Sequence, residues 1–194
     1  MQKGNIRKVK FDAETHTYSY CGRKLYGVTS AIGARQGKKW FSTDAVKLAC
    51  SYGTQVHRES ENWIKHREEP VTEAGKWVKG MLETFLDKEG HNKLSAEVPV
   101  SDFEYTASMV DVVLHKIEGV FLYDIKTNRF DREYCTLQLN TYRVLYENSY
   151  NEKVLGMFVL NTKAKRVFAV GQIDDNSVYS VLEWNKILDR MKQE

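Results

Sequence analysis

The chain is short of the residues that punctuate loops and staple small folds. Two prolines in 194 residues, with 42% hydrophobic content, leave little room for a disordered tail and indicate a packed globular chain. The three cysteines, Cys21, Cys50 and Cys135, are odd in number and far apart, with no C-x-x-C pair. That excludes a disulfide framework and fits a reduced, cytoplasmic protein with buried thiols. No apolar run reaches the roughly 20 residues of a membrane span, and no signal-peptide pattern is present, so no membrane partner is expected. Repeats and low-complexity segments are missing too. So is a G-x-x-x-x-G-K-[ST] loop, which removes a built-in helicase engine. The charge balance is nearly even, 29 basic against 26 acidic residues for a net +3. Such a balance permits a nucleic-acid partner without indicating one.

What is present reads as one domain with a central sheet. The length suits one substantial core and is too short for two. "THTYSY" and "KLYGV" flank a Cys-Gly-Arg turn and predict a hairpin, with Thr29 and Ser30 as caps for a short helix. "GARQGKKWF" is glycine-punctuated and polar, so a loop is predicted there. Ser42, Thr43 and Asp44 are cap candidates for a helix to about Cys50, followed by a second helix of about fourteen residues through "GTQVHRESENWIKH". Trp77, Val78, Met81, Leu82, Phe85 and Leu86 mark an amphipathic helix over 73–89, stopped by Gly90. Three strands follow in "LSAEVPV", "YTASMVDVVLH" and "VFLYDIKT". A helix over "EYCTLQLNTYRVLYENS" turns Leu137, Tyr142 (or Thr141), Leu145 and Tyr146 inward. "KVLGMFVLN" and "KRVFAVGQI" are two more strands, forming a hairpin across 162–165. A helix over 177–192 closes the order, with Val178, Val181, Leu182, Leu188 and Met191 on one face. The fold class is α/β, a central mixed sheet flanked by helices.

The chemistry concentrates on that sheet. In "FLYDIKT" the alternation puts Asp124 and Lys126 on one face, roughly 6.5–7 Å apart at Cα. Along "ASMVDVVLH", Val110, Val112 and Leu114 take one face and Met109, Asp111 and Val113 the other. If these two strands pair through the "HKIEG" turn, Asp111 and Asp124 come close together. Glu97 lies on the strand before, and Gln138 and Tyr142 share a face of the helix after. An acid beside a lysine is more often an ordinary exposed salt bridge, and D-x-K triplets arise by chance in a chain that is 28% charged. Several carboxylates crowded on one sheet are different. They repel unless a cation joins them, and hard oxygen ligands favour magnesium or manganese over zinc. A lysine beside such a cation can hold a water or offset charge on a phosphate.

Glu97, Asp111, "DIKT" at 124–127 and "QLNTY" at 138–142 stand in the motif order of the PD-(D/E)XK nucleases. The Q-x-x-x-Y helix after the strand narrows the resemblance to the RecB-like branch, and "GTQVH" at 53–57 resembles that branch's upstream helix with its histidine. The opening "HTYSYCGRKLYGVTS" is similar to the start of many phage-type exonucleases and of the mitochondrial genome maintenance exonuclease. The resemblance spans about residues 11–146. It implies a restriction-endonuclease-like core over about 94–175, after a helical part over about 30–90, all within a single nuclease domain of 1–194. It implies Asp111, Asp124, the Ile125 carbonyl, Glu97 and His57 as metal ligands, with Lys126 positioning the attacking water and Gln138 and Tyr142 contacting DNA or bracing the site. The activity implied is a magnesium-dependent deoxyribonuclease, an exonuclease in phage or bacterial recombination, repair or replication, with DNA as substrate and other recombination or replication proteins as possible partners. A structure-specific endonuclease and a silent nucleic-acid-binding subunit are the alternatives. The chain departs from the family at Ser108 and Met109, where a glycine is frequent. Relatives with an iron–sulfur cluster hold it on four cysteines, so no cluster is expected here.

Other candidates carry less. His57 and Glu61 are helically spaced, but the next histidine of that helix, His66, is nine residues away, so no zinc pair is expected. His16, His91 and His115 lack a partner pattern. Lys38, Lys39 and Trp40 read as a solvated loop before they read as a phosphate-and-base site.

Overall fold

The computed structural model describes residues 6–12, 15, 17–36, 43–86 and 91–191. His16, the Lys38, Lys39 and Trp40 cluster and the Gly90 helix stop lie outside them. In chain order the elements are β1 (Val9–Asp12), β2 (Thr17–Tyr20), β3 (Arg23–Gly27), α1 (Val28–Arg35), α2 (Asp44–His66), α3 (Glu73–Glu83), β4 (Lys93–Ser101), β5 (Thr106–Lys116), β6 (Gly119–Lys126), α4 (Arg132–Tyr150), β7 (Val154–Asn161), β8 (Arg166–Val170) and α5 (Asp175–Met191).

The strands form one mixed, eight-stranded sheet in the order β1-β2-β3-β5-β6-β7-β8, with β4 on β5. The predicted hairpin is β2–β3. Cys21 and Gly22, both at positive φ, make the two-residue turn between the paired residues Tyr20 and Arg23. β1 extends this hairpin and was not foreseen, because four residues are too few to show an alternation. β5–β6 and β7–β8 are antiparallel, while β6–β7 is parallel through α4, the crossover that a parallel pair requires.

Helices cover both faces. One core gathers Val28 and Ile32 of α1, Leu139, Tyr142 and Leu145 of α4 and Val181 of α5 against Val100, Val110, Leu122 and Val159. The other gathers Val56 and Trp63 of α2 and Val78 and Leu82 of α3 against Val112, Tyr123, Ile125 and Leu160. Each fully buried Val or Leu contributes about 1.5–3 kcal/mol.

Several local expectations need correction. Thr29 and Ser30 lie inside α1, whose cap position is Gly27, and the predicted loop from Gly33 is helical through Arg35. The two predicted helices around Cys50 are one continuous α2. The Thr43 hydroxyl accepts the Val46 N–H, and helical bonding carries through Gly53 to a left-handed cap at Arg67. α3 ends at Glu83. Met191 of α5 is 65% exposed, whereas Asn185 is buried and donates to the Tyr26 carbonyl and Thr106 hydroxyl. Cys21 and Cys50 are exposed, and only Cys135 is a buried thiol. Among the described residues no helix is long and apolar enough to cross a membrane.

One irregularity builds a cleft. β4 runs along one edge of β5. On the other edge β3 pairs with Thr106 and Ala107, and β6 pairs only from Val112 onward. Between them, residues 108–111 of β5 have no partner strand on that edge, and the sheet forks. At the same level Ala96 and Val98, two apart on β4, pack into opposite cores, as do Val112 and Val110 of β5. The side-chain alternation therefore changes phase at Glu97 and Asp111, so Val110 does not share a face with Val112 as the pattern suggests. Glu97 absorbs the change with a left-handed backbone, φ 50, a conformation costly for a residue with a Cβ.

Candidate active site

The fork opens into a cleft of about 640 Å³. Its walls include His57 and Arg58 of α2, Glu97 of β4, Ser108 and Asp111 of β5, Asp124 and Lys126 of β6, and Gln138 and Tyr142 of α4. The side chains that the resemblance implied for the site, His57, Glu97, Asp111, Asp124, Lys126, Gln138 and Tyr142, all border this one space.

Asp111 is the hub. One carboxylate oxygen accepts the Ile125 N–H at 2.6 Å, so the side chain replaces the strand pairing that the fork removes. The other oxygen stands 3.4 Å from Nδ1 of His57. The imidazole's far nitrogen, Nε2, is 3.0 Å from the Ile125 carbonyl oxygen. His57 thus bridges two consecutive features of the β5–β6 junction, and α2 delivers it at the border of its buried stripe, one residue after the fully buried Val56. Ligand atoms of His57, Glu97 and Asp111 all lie within 4.8 Å of one another. Asp124 is not part of that group. It is 2% exposed, and both its oxygens face Lys126 Nζ, at 3.0 and 2.7 Å. The D-x-K triplet is therefore a salt bridge, but a buried one.

The electrostatics follow from this crowding. Burial pushes Glu97 up to about 8, and the neighbouring charge of Asp111 adds to the shift. Burial would lower His57, yet the charge and hydrogen bond of Asp111 outweigh it and hold the imidazole at about 9. Burial works against ionisation of Asp111, and the charge and hydrogen bond of His57 and the charge of Lys126 overcome it, leaving this carboxyl below its usual range. Asp124 is raised by burial despite Lys126, and Lys126, against its own burial, is held charged by Asp124 and Asp111. Glu97, Asp111, His57 and the Ile125 carbonyl, gathered around one space, offer two carboxyl groups, one imidazole and a carbonyl oxygen. With the Glu97 carboxyl and the His57 imidazolium deprotonated, that set could hold a divalent cation.

Neither a family model nor a curated protein matches the chain. The chain is similar to a solved structure described as the crystal structure of SSO0001, at 14% identity and a TM-score of 0.45, over 84% of this chain and 76% of that one.

Gln138 and Tyr142 brace the cleft floor. They are 2% and 3% exposed. The Gln138 amide donates to the Tyr142 hydroxyl at 2.8 Å, and Ser108 donates to the same oxygen at 3.3 Å. Ser108 is thereby tied to the helix that carries Gln138 and Tyr142. The Gln138 carbonyl oxygen has no partner among the described residues. Sequence reading passed over Arg58, the Phe11–Tyr18 ring pair at 4.8 Å and Thr29, which also border the cleft. Arg58 is adjacent to His57 and was within reach of a helical-face argument. Phe11 sits on the unforeseen β1.

Proposed function

We propose that this chain is a metal-dependent DNA nuclease that hydrolyses phosphodiester bonds with magnesium or manganese. The observation that carries the reading is the convergence of His57, Glu97 and Asp111 with the buried Asp124–Lys126 pair in one open cleft. A protein that only binds DNA gains nothing from carboxylates facing an anionic ligand.

Glu97, Asp111, His57 and the Ile125 carbonyl would hold the cation, for which one His57 ring nitrogen must lose its proton and its present contact. The chemistry supplied by a bound divalent cation is acidification of a water and neutralisation of a phosphate oxygen. Lys126 brings a fixed ammonium to the cleft, placed to offset charge on the phosphate as it develops. Asp124 orients Lys126 in this geometry. The resemblance also makes Asp124 a cation ligand, and that role would compete with Lys126 for the same two oxygens. Gln138, Tyr142 and Ser108 keep the floor rigid, and Arg58 adds a cation at the rim.

Action from DNA ends rests on the resemblance alone, and topology tests it. Purified protein with magnesium is expected to degrade linear DNA and spare closed circular DNA. Cleavage of the closed circle would make it an endonuclease, and intact substrates in every metal would remove the nuclease reading.

A further inference from the structure

A second groove adjoins the cleft, with Lys126 as the shared wall. Its volume is about 730 Å³, and its lining includes Asn128, Arg129, Phe130, Arg132, Tyr134 and Cys135. The only acid in that lining is Asp131, whose carboxylate accepts the Tyr134 N–H as the cap of α4. Arg129 and Arg132 are exposed, and neither makes an ion pair among the described residues.

The groove continues onto the β7–β8 hairpin through a ladder of planes. The Arg132 guanidinium lies 5.9 Å from the Phe130 ring centroid. Phe130 stacks on Phe168 at 4.2 Å with ring planes 5° apart. The guanidinium of Arg166, also exposed, lies 5.5 Å from the Phe168 centroid. Two half-buried rings thus lie against two exposed arginines, Arg132 at the start of α4 and Arg166 at the start of β8. Stacking pre-orders guanidinium groups while leaving their N–H donors for an anion. Inside the groove the Lys126 ammonium lies 5.8 Å from the Tyr134 ring centroid.

We infer that this groove binds a single-stranded segment of DNA next to the scissile phosphate, with Arg129, Arg132 and Arg166 holding successive phosphates. The inference rests on the nuclease reading for the identity of the substrate. Three properties select the occupant. The positive lining demands a polyanion. The groove is continuous with the cleft at Lys126, so a chain crossing the site would run into it. Its lining sets aromatic rings, Phe130 and Tyr134, among the cations, a combination that suits a single strand rather than a duplex. Phosphate contacts made by arginines position a strand without reading its sequence.

The test is fluorescence anisotropy of a labelled single-stranded oligonucleotide with the full chain in calcium, across a salt series, alongside cleavage in magnesium. Arg129→Glu and the double variant Arg132→Glu/Arg166→Glu change exposed positions only, so folding should hold, and thermal melting checks it. Each is expected to weaken strand binding at least about tenfold and to flatten the salt slope by about 0.7 for every phosphate that the variant no longer neutralises. Binding unchanged in both variants, while the wild type still cleaves, would overturn the groove and leave the nuclease reading standing. Binding lost in the variants, with a wild type that never cleaves, would keep the groove as a strand site and overturn the nuclease reading. Displacement of the strand by poly-glutamate as readily as by unlabelled strand would overturn the inference, because it would mark a general anion surface. So would equal binding of blunt duplex.

Discussion

Replacing Lys126 with methionine removes the cation that contacts Asp124 while nearly preserving the side chain's volume. Asp124 is 2% exposed, and both oxygens rest on Lys126 at 3.0 and 2.7 Å. Breaking a buried pair from one side leaves an uncompensated charge, which costs about 3–5 kcal/mol. Proton uptake by Asp124 caps that cost, so about 3 kcal/mol is expected at neutral pH. For a chain of this size that lowers Tm by roughly 6–12 °C. The pH dependence has a definite sign. Burial raises Asp124 above its ordinary 3.8 in the fold. Its proton therefore stabilises the fold fully below that value, and the contribution is lost as pH rises through the folded pKa. Without Lys126 the folded pKa rises further. The Lys126→Met deficit is thus largest at neutral pH and narrows on acidification toward 3.8. Asp124→Asn/Lys126→Met, with neither charge, should recover most of the loss. Thermal melts in metal-free buffer across pH check all three statements. A Lys126→Met protein melting within about 2 °C of the wild type at neutral pH, or one whose deficit widens in acid, would refute the buried-pair argument.

Tyr142→Phe strands the buried Gln138 Nε2, while Ser108 keeps Tyr18 as a partner, and should cost about 1–3 kcal/mol while leaving manganese affinity unchanged by calorimetry. A shift in metal affinity would place this helix closer to the cation than the bracing geometry allows. Gly75→Ala sets helix propensity against sterics at the start of α3. A Cβ there would overlap Glu59 Oε2 and stand 2.9 Å from Pro70 Cβ, so Glu59 must release the Thr72 N–H and hydroxyl that it accepts. Losing those bonds outweighs the roughly 1 kcal/mol gained from alanine, and denaturant melts should show net destabilisation.

The sequence shows most of the sheet because strands covered on both faces read as short apolar runs bounded by turn residues, as in β6 and β7. It hides β1, where four residues hold too little pattern. It hides the unity of α2, because Gly53 and the polar stretch around it look like a break. The helix survives there, its Thr54 hydroxyl donating to the Cys50 carbonyl. The residue types of the site are legible, since clustered acids, a lysine and a histidine have few shared purposes. Their pairing is not. Sequence spacing put Asp124 near Asp111, and the two do border one cleft, with the charge of Asp111 felt at Asp124. Spacing did not show that the fork turns Asp111 to His57 and the Ile125 N–H while Asp124 rests on Lys126. That fork depends on where β3 stops and β6 begins along a single edge of β5, and on a left-handed Glu97. No local pattern encodes either.

Single-turnover cleavage of end-labelled linear DNA by the wild type and by Asp111→Asn, in magnesium and in excess chelator, tests the central claim most directly. Asparagine can still accept the Ile125 N–H at the fork, so the fold is kept while the ligand charge beside His57 and Glu97 is lost. The wild type is expected to cleave only with the metal, and Asp111→Asn to cleave at least about a hundredfold more slowly at saturating DNA. Cleavage by the wild type in excess chelator, or equal rates for the two proteins in magnesium, would contradict it.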